Sequence, residues 1–222
     1  DIFADMARTV PMNRLLQGDG GSGKTVVALL ALLAAMDGGC QGAFLAPTEI
    51  LARQHYLRLA PMIEALGGRC ALLTGSLPAR EKNEIQEGLE SGEISVAIGT
   101  HALLSEKTAF ARMGIAIVDE QHRFGVLQKH AFRSKGGSPH VLVMTATPIP
   151  RTLAMTAYGA LDLSVIDELP PGRKPVRTAV FYESQRERVY EIIRSELRKA
   201  HQIFIVYPLV EESEALDLRD AT

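Results

Sequence analysis

The octet Gly18-Asp19-Gly20-Gly21-Ser22-Gly23-Lys24-Thr25 constrains this chain more than any other feature. It fits the pattern G-x-x-x-x-G-K-[ST]. The short run Arg14-Leu15-Leu16-Gln17 precedes it as a strand candidate, and the eleven apolar residues Val26 to Met36 follow it as a helix apolar on all sides, read as buried. Strand, glycine-rich turn and helix is the setting in which this pattern has physical meaning. The N–H groups of such a turn converge on phosphate oxygens, and the N-terminus of the next helix adds positive potential. Gly18, Asp19, Gly20, Gly21, Ser22, Gly23, Lys24 and Thr25 are therefore the candidate phosphate-binding residues. Lys24 is expected to reach the β- and γ-phosphates, and the Thr25 hydroxyl to hold Mg2+.

The rest of the chain alternates short apolar runs with helical patterns, which argues for an α/β fold with a mostly parallel sheet flanked by helices. Strands are expected at 42–46, 70–74, 94–98, 115–119 and 141–145. Helices are expected at 49–66, with a kink or break near Pro61, and at 79–90, with Ile85 and Leu89 on one side. Parallel strands present ligands at their C-terminal ends, and the strands at 94–98, 115–119 and 141–145 each end in a polar cluster. The stretch Asp167 to Pro175 interrupts the alternation with three prolines and a glycine, the composition of a hinge. Beyond it a strand is expected at 176–182. An amphipathic helix follows at 184–199, with Val189, Ile192, Ile193 and Leu197 inward and Ser184 and Glu187 as its capping box. Another strand is expected at 203–207. The expected organisation is a first domain over 1–166, a linker over 167–175 and the start of a second domain over 176–222.

At 222 residues the chain amounts to about one and a half domains. The first residue is Asp, and the last twelve read as an element being entered, so a piece of a longer chain is expected. The formal net charge is −2, with fifteen Lys and Arg against fifteen Asp and Glu through residue 166, and nine against eleven after it. That balance excludes a strongly basic nucleic-acid binder and leaves room for a local basic groove. The longest apolar run is half of the roughly 20 residues a membrane span needs, and no signal peptide is expected. Cys40 and Cys70 lack metal-ligand spacing and are expected to be buried, reduced thiols.

The strand over 115–118 runs directly into Asp119-Glu120. A carboxylate at the end of a buried strand suits a second Mg2+ contact, for Asp119. Glu120 is placed to orient and deprotonate an attacking water. With Lys24 these are the candidate catalytic residues, and together with the glycine loop they point to a nucleoside triphosphatase. A small kinase or a GTPase fits poorly, because no acceptor-site or guanine-specificity motif is found.

The next residues narrow the reading. Asp119-Glu120-Gln121-His122 is a D-E-x-H box, and Thr145-Ala146-Thr147 follows the next strand. Both resemble superfamily 2 helicases. The stretches DEQHRFGV (119–126) and TATPIPRT (145–152) closely resemble the RecG branch of that superfamily. APTEILARQH (46–55) and IGTHALL (98–104) are similar to its motifs Ia and Ib, and the resemblance runs in order from about Pro11 to the end. Transcription-repair coupling factors, which translocate on duplex DNA, are a near cousin. His122 after Gln121 favours the RecG branch.

This resemblance implies a RecA-like P-loop NTPase domain followed by the start of a second one. It implies an ATP-dependent, bacterial, cytoplasmic helicase motor that uses Mg2+ and remodels branched or forked DNA irrespective of sequence, acting as a monomer. Gln121, His122, Thr145, Ala146, Thr147 and Arg151 would couple nucleotide state to DNA, with Arg123 a further candidate. Thr48, Arg53, Thr100 and His101 would lie against the DNA backbone, where hydroxyl, imidazole and guanidinium groups suit phosphate contacts. Gly20 departs from the family's usual valine. The extra loop freedom could cost up to about 1 kcal/mol without removing the N–H donors. The family's adenine-recognition segment, wedge domain and arginine finger are not found in these residues. The piece alone is therefore expected to bind Mg·ATP weakly, to hydrolyse it slowly and not to unwind DNA.

Overall fold

The computed structural model describes residues 1–119, 138–147, 161–168 and 176–206. Backbone contacts divide the chain into two compact units, Asp1–Arg173 and Lys174–Thr222.

The first unit is a seven-stranded sheet. Its strands are β1 (Asn13–Gly18), β2 (Gln41–Leu45), β3 (Cys70–Leu73), β4 (Val96–Gly99), β5 (Met113–Val118), β6 (His140–Thr145) and β7 (Asp162–Ile166), in the order β3-β4-β2-β5-β6-β1-β7. All six pairings are parallel. A parallel sheet is covered on both faces, so its strands read as unbroken apolar runs. Side chains still alternate, and two packed layers result. Leu16, Phe44, Ile115, Ile117, Leu142 and Met144 point to one face, against Ala28, Leu32, Leu59 and Ile63 of helices α2 (Lys24–Asp37) and α3 (Glu49–Ala65). Ala43, Leu45, Ala116 and Val118 point to the other, with Leu89 of α4 (Ala79–Glu90) and Leu103 of a 3-10 turn.

Two elements were not expected. Helix α1 (Ile2–Met6) is held to the sheet by Asp5, whose carboxylate takes the Arg14 guanidinium at 2.6 Å. Strand β7 is half-exposed at the sheet edge, and Asp162-Leu163-Ser164-Val165-Ile166 alternates polar and apolar residues instead of forming the continuous apolar run of the central strands.

Several expectations are corrected. Helix α2 is not buried all round. It lies on one face of the sheet, and Val26 and Leu30 face solvent at 59% and 45% exposure. Helix α3 runs through Pro61 without a break. The proline deprives the Leu57 carbonyl of its partner, but both residues face solvent, where water can serve instead. Cys40 is half-buried rather than buried. Both cysteines are free, and burial pushes the Cys70 thiol up to about 12. Among the described residues no helix is long and apolar enough to cross a membrane.

The second unit contains a 3-10 turn (Glu183–Gln185) and helix α5 (Arg186–Arg198). The expected capping box of Ser184 and Glu187 does not form. Gln185 takes the role, its Oε1 accepting from the Tyr182 N–H at 3.1 Å. No strand forms among the described residues of 176–182 or 203–207; residue 207 lies outside them. An extended run counts as a strand only when a neighbouring backbone pairs with it, and none does among the described residues. For the same reason the apolar stripe of α5 is not an inner face here: none of its residues is buried, and Ile192 and Leu197 are exposed.

Gln41 is a buried polar pin. Its Nε2 donates to the carbonyls of Leu89 and Ile94 at 2.9 and 2.7 Å, and its Oε1 accepts from the Arg112 N–H at 3.0 Å. The isosteric change Gln41→Leu strands the Ile94 carbonyl and the Arg112 amide. We expect it to lower unfolding free energy by about 2–4 kcal/mol, measured by denaturant titration.

His140 opens β6, and its Nδ1 accepts from the Met12 N–H at 2.9 Å, which requires that nitrogen to be unprotonated. Burial holds the imidazole below its ordinary value of 6.5, and Asp5 pulls weakly the other way. On acidification the unfolded chain therefore takes up this proton first. The contribution of His140 to stability is complete above about 6.5 and is lost as pH falls from there through the folded value. His140→Asn keeps an acceptor in the place of Nδ1 and removes the titration. The drop in urea midpoint between pH 7.5 and 5.5 is expected to be smaller in that variant than in the parent chain.

Candidate functional site

Because every pairing is parallel, all strand C-termini open on one edge of the sheet, and the loops that follow them lie together there. The strand order sorts those loops. The glycine loop follows β1, Thr145 ends β6 and Asp119 follows β5, on three neighbouring strands. Thr48 follows β2 and Thr100 follows β4, on the next two.

The glycine loop is shaped by close approach at its start and by unusual backbone at its end. A β-carbon on Gly18 would stand 2.6 Å from Ser22 Oγ and 3.1 Å from Ile166 Cβ, so only glycine lets the turn close over β7. The Ser22 N–H donates to the Asp19 carbonyl at 3.1 Å. Gly21 and Gly23 have φ of 84° and 98°, a region that costs other residues strain. Gly23 is the N-cap of α2, so Lys24 and Thr25 begin the helix with their amides directed into the loop. Lys24 Nζ bridges the loop, donating to the Gly18 carbonyl at 2.6 Å and the Asp19 carbonyl at 2.9 Å. Ser22 Oγ is buried and makes no hydrogen bond among the described residues. An ammonium, helix-start amides and an orphaned hydroxyl around one turn are groups whose chemistry suits phosphate oxygens. Gly20 has open space where a β-carbon would stand, so no close contact in the loop requires glycine there.

Asp119 follows β5 and is 9% exposed, its N–H donating to the Leu45 carbonyl at 2.9 Å. Its carboxylate Oδ2 lies 3.0 Å from His55 Nε2. A carboxylate accepts, so Nε2 carries the hydrogen. His55 is buried on α3 and packs against Phe44 of β2, with ring centroids 4.5 Å apart and planes at 43°. This histidine was not among the residues singled out from the sequence. The signal for it was available: Ala52, His55, Leu59 and Ile63 fall on the buried stripe of α3.

Thr145 is 1% exposed, and its Oγ1 accepts from the Thr147 N–H at 3.1 Å and lies 2.9 Å from the Thr147 hydroxyl. The turn Thr145-Ala146-Thr147 is thereby closed on itself beside the glycine loop, and Ala146 lines a cleft of about 200 Å³ with Gln17, Gly18 and Asp19. Thr48 is the N-cap of α3 and accepts from the Leu51 N–H at 3.3 Å, so it has a structural role whatever else it touches. Arg53 is exposed one turn on. Thr100 is buried, with its N–H on the Leu73 carbonyl, and His101 beside it is exposed. Glu120, Gln121, His122, Arg123 and Arg151 lie outside the described residues. Among the described residues no group of three or more His, Cys, Asp and Glu stands together.

Residues 5–156 match the family model "DEAD/DEAH box helicase". The chain is similar to the ATP-dependent DNA helicases RecG of Aquifex aeolicus (53% identical, all of this chain and 28% of the relative) and of Synechocystis (50%, all of this chain and 27% of the relative). It thus spans between a quarter and a third of their length. Among solved structures it is similar to RecG bound to a three-way DNA junction, at 48% identity and a TM-score of 0.77, over 95% of this chain and 28% of that one. It also shares the fold of the Pyrococcus furiosus Hef helicase domain, at 19% identity and a TM-score of 0.56, over 90% of this chain and 45% of that one.

Proposed function

Because the chain belongs to the DEAD/DEAH box helicase family, we propose that it is the ATP-hydrolysing motor portion of a DNA helicase that remodels branched DNA. The observation that carries this reading is the placement of the Lys24 loop and Asp119 on the ends of β1 and β5, with β6 between them. It is supported by the likeness to a protein whose structure was solved on a three-way junction.

In this reading the glycine loop and Lys24 hold the β- and γ-phosphates, and Thr25 and Asp119 hold Mg2+. When bound there, Mg2+ would neutralise charge that builds on the transferring phosphoryl group. Glu120 takes the proton of the attacking water. Gln121, His122, Arg151 and the closed turn Thr145-Ala146-Thr147 pass nucleotide state to the DNA side. There Thr48, Arg53, Thr100 and His101 hold the backbone without reading bases. Residues after the hinge open a second RecA-like domain, and the cycle of ATP binding and hydrolysis drives movement along the strand.

The test is ATP turnover and strand displacement by the intact protein on three-way junctions, linear duplex and single strands. The junction is expected to stimulate turnover most and to be unwound. Turnover indifferent to DNA would sink the helicase reading. Strong stimulation by linear duplex without unwinding would turn it into a duplex translocase.

A further inference from the structure

The contact between His55 and Asp119 joins two parts of the edge that are distant in the chain. Asp119 ends β5. His55 sits on α3, the helix that begins at Thr48 and also carries Arg53. The ring is buried, supported on Phe44, and directs Nε2–H at Asp119 Oδ2 over 3.0 Å. A carboxylate that rotates freely offers a cation either oxygen in many orientations. One whose Oδ2 is committed to a fixed donor presents its other oxygen in a single orientation. Hydrogen bonds of this kind fix metal-binding side chains and tune affinity.

We infer that His55 is a positioning residue for the divalent cation, holding the Asp119 carboxylate in register from α3. This rests on the reading of Asp119 as a Mg2+ ligand. His55 touches neither phosphate nor water in this scheme; it acts through Asp119. It also gives α3 a mechanical route to the metal, because a displacement of the helix moves the donor on which the carboxylate is set.

The experiment measures Mn2+ binding in the presence of ADP by electron paramagnetic resonance, using the intact protein and two variants. His55→Phe keeps the ring and its packing on Phe44 but has no donor. His55→Gln keeps an amide N–H near the place of Nε2. The phenylalanine variant is expected to weaken Mn2+ binding about tenfold or more, and the glutamine variant by no more than about threefold. Binding of a fluorescent ADP in EDTA, which reads the glycine loop alone, is expected to be unchanged in both. A phenylalanine variant that binds Mn2+ like the parent overturns the inference. So does one that loses metal-free ADP binding in equal measure, since that marks a structural role only. His55→Asn, too short to reach Asp119, replaces the phenylalanine variant if the latter does not fold. Failure of the parent protein itself to bind Mn2+ with ADP overturns the assignment of Asp119, and the inference with it. A parent that binds while the variants do not differ leaves the proposed function standing and removes only His55.

Discussion

Lys24→Ala is expected to cut ATP turnover of the intact protein by at least about a hundredfold, the scale on which removal of one preorganised charge acts on a transition state. The loop is built around this ammonium. Nζ is held between two carbonyls of the same turn, at 2.6 and 2.9 Å, at the foot of α2. A polyphosphate entering the loop meets a positive charge that is already in place and requires no reorganisation. Without it the helix-start amides remain, so nucleotide binding weakens less than turnover does. The fold is expected to survive, because two hydrogen bonds to a solvent-side turn are worth about 1–2 kcal/mol together. Phosphate release with saturating junction DNA, beside an unfolding curve, checks both halves. Turnover at the parent level would remove the loop from the mechanism. Lys24→Arg is expected to fail as well, since a planar guanidinium does not replace a point charge fitted between two carbonyls.

The sheet and the glycine loop were legible in the sequence for a physical reason. A parallel sheet covered on both faces leaves continuous apolar runs, and the loop is a local motif whose glycines answer local demands. Only glycine fits at Gly18, and only glycine adopts the backbone of Gly21 and Gly23 without strain. Features whose meaning is not local were not legible. Helix α1 has five residues, and its anchor is an ion pair to a strand nine positions on. Strand β7 is a half-exposed edge, whose alternating residues lack the continuous apolar run that marks the strands covered on both faces. The extended runs after the hinge carry strand composition, but the backbone pairing that defines a strand is a property of neighbours. His55 is the case with most bearing on function. Its role depends on β2 and β5 being adjacent although 71 residues of chain separate their paired Gln41 and Arg112–Met113 ends, and only the strand order reveals that. A histidine on a buried helical stripe is ordinary until the carboxylate it meets is known.

Phe44→Ala is expected to produce the largest loss of stability. Phe44 is wholly buried in the layer between the sheet and α3, among Leu32, Leu59 and Ile63. Truncation leaves a cavity that the surrounding helices cannot close, at a cost of about 3–5 kcal/mol. For a unit of this size that corresponds to a melting temperature lower by roughly 6–20 °C, which calorimetry reads directly. Phe44→Leu separates stability from the site. A volume-conserving exchange costs about 1.5 kcal/mol or less, so the fold stays. The flat support for the imidazole, 4.5 Å away, does not. The leucine variant is therefore expected to melt near the parent and yet to bind Mn2+ with ADP more weakly, in the same direction as His55→Phe. Equal metal binding in parent and leucine variant would mean that the hydrogen bond to Asp119 alone sets the histidine, and that the ring beneath it serves only the core.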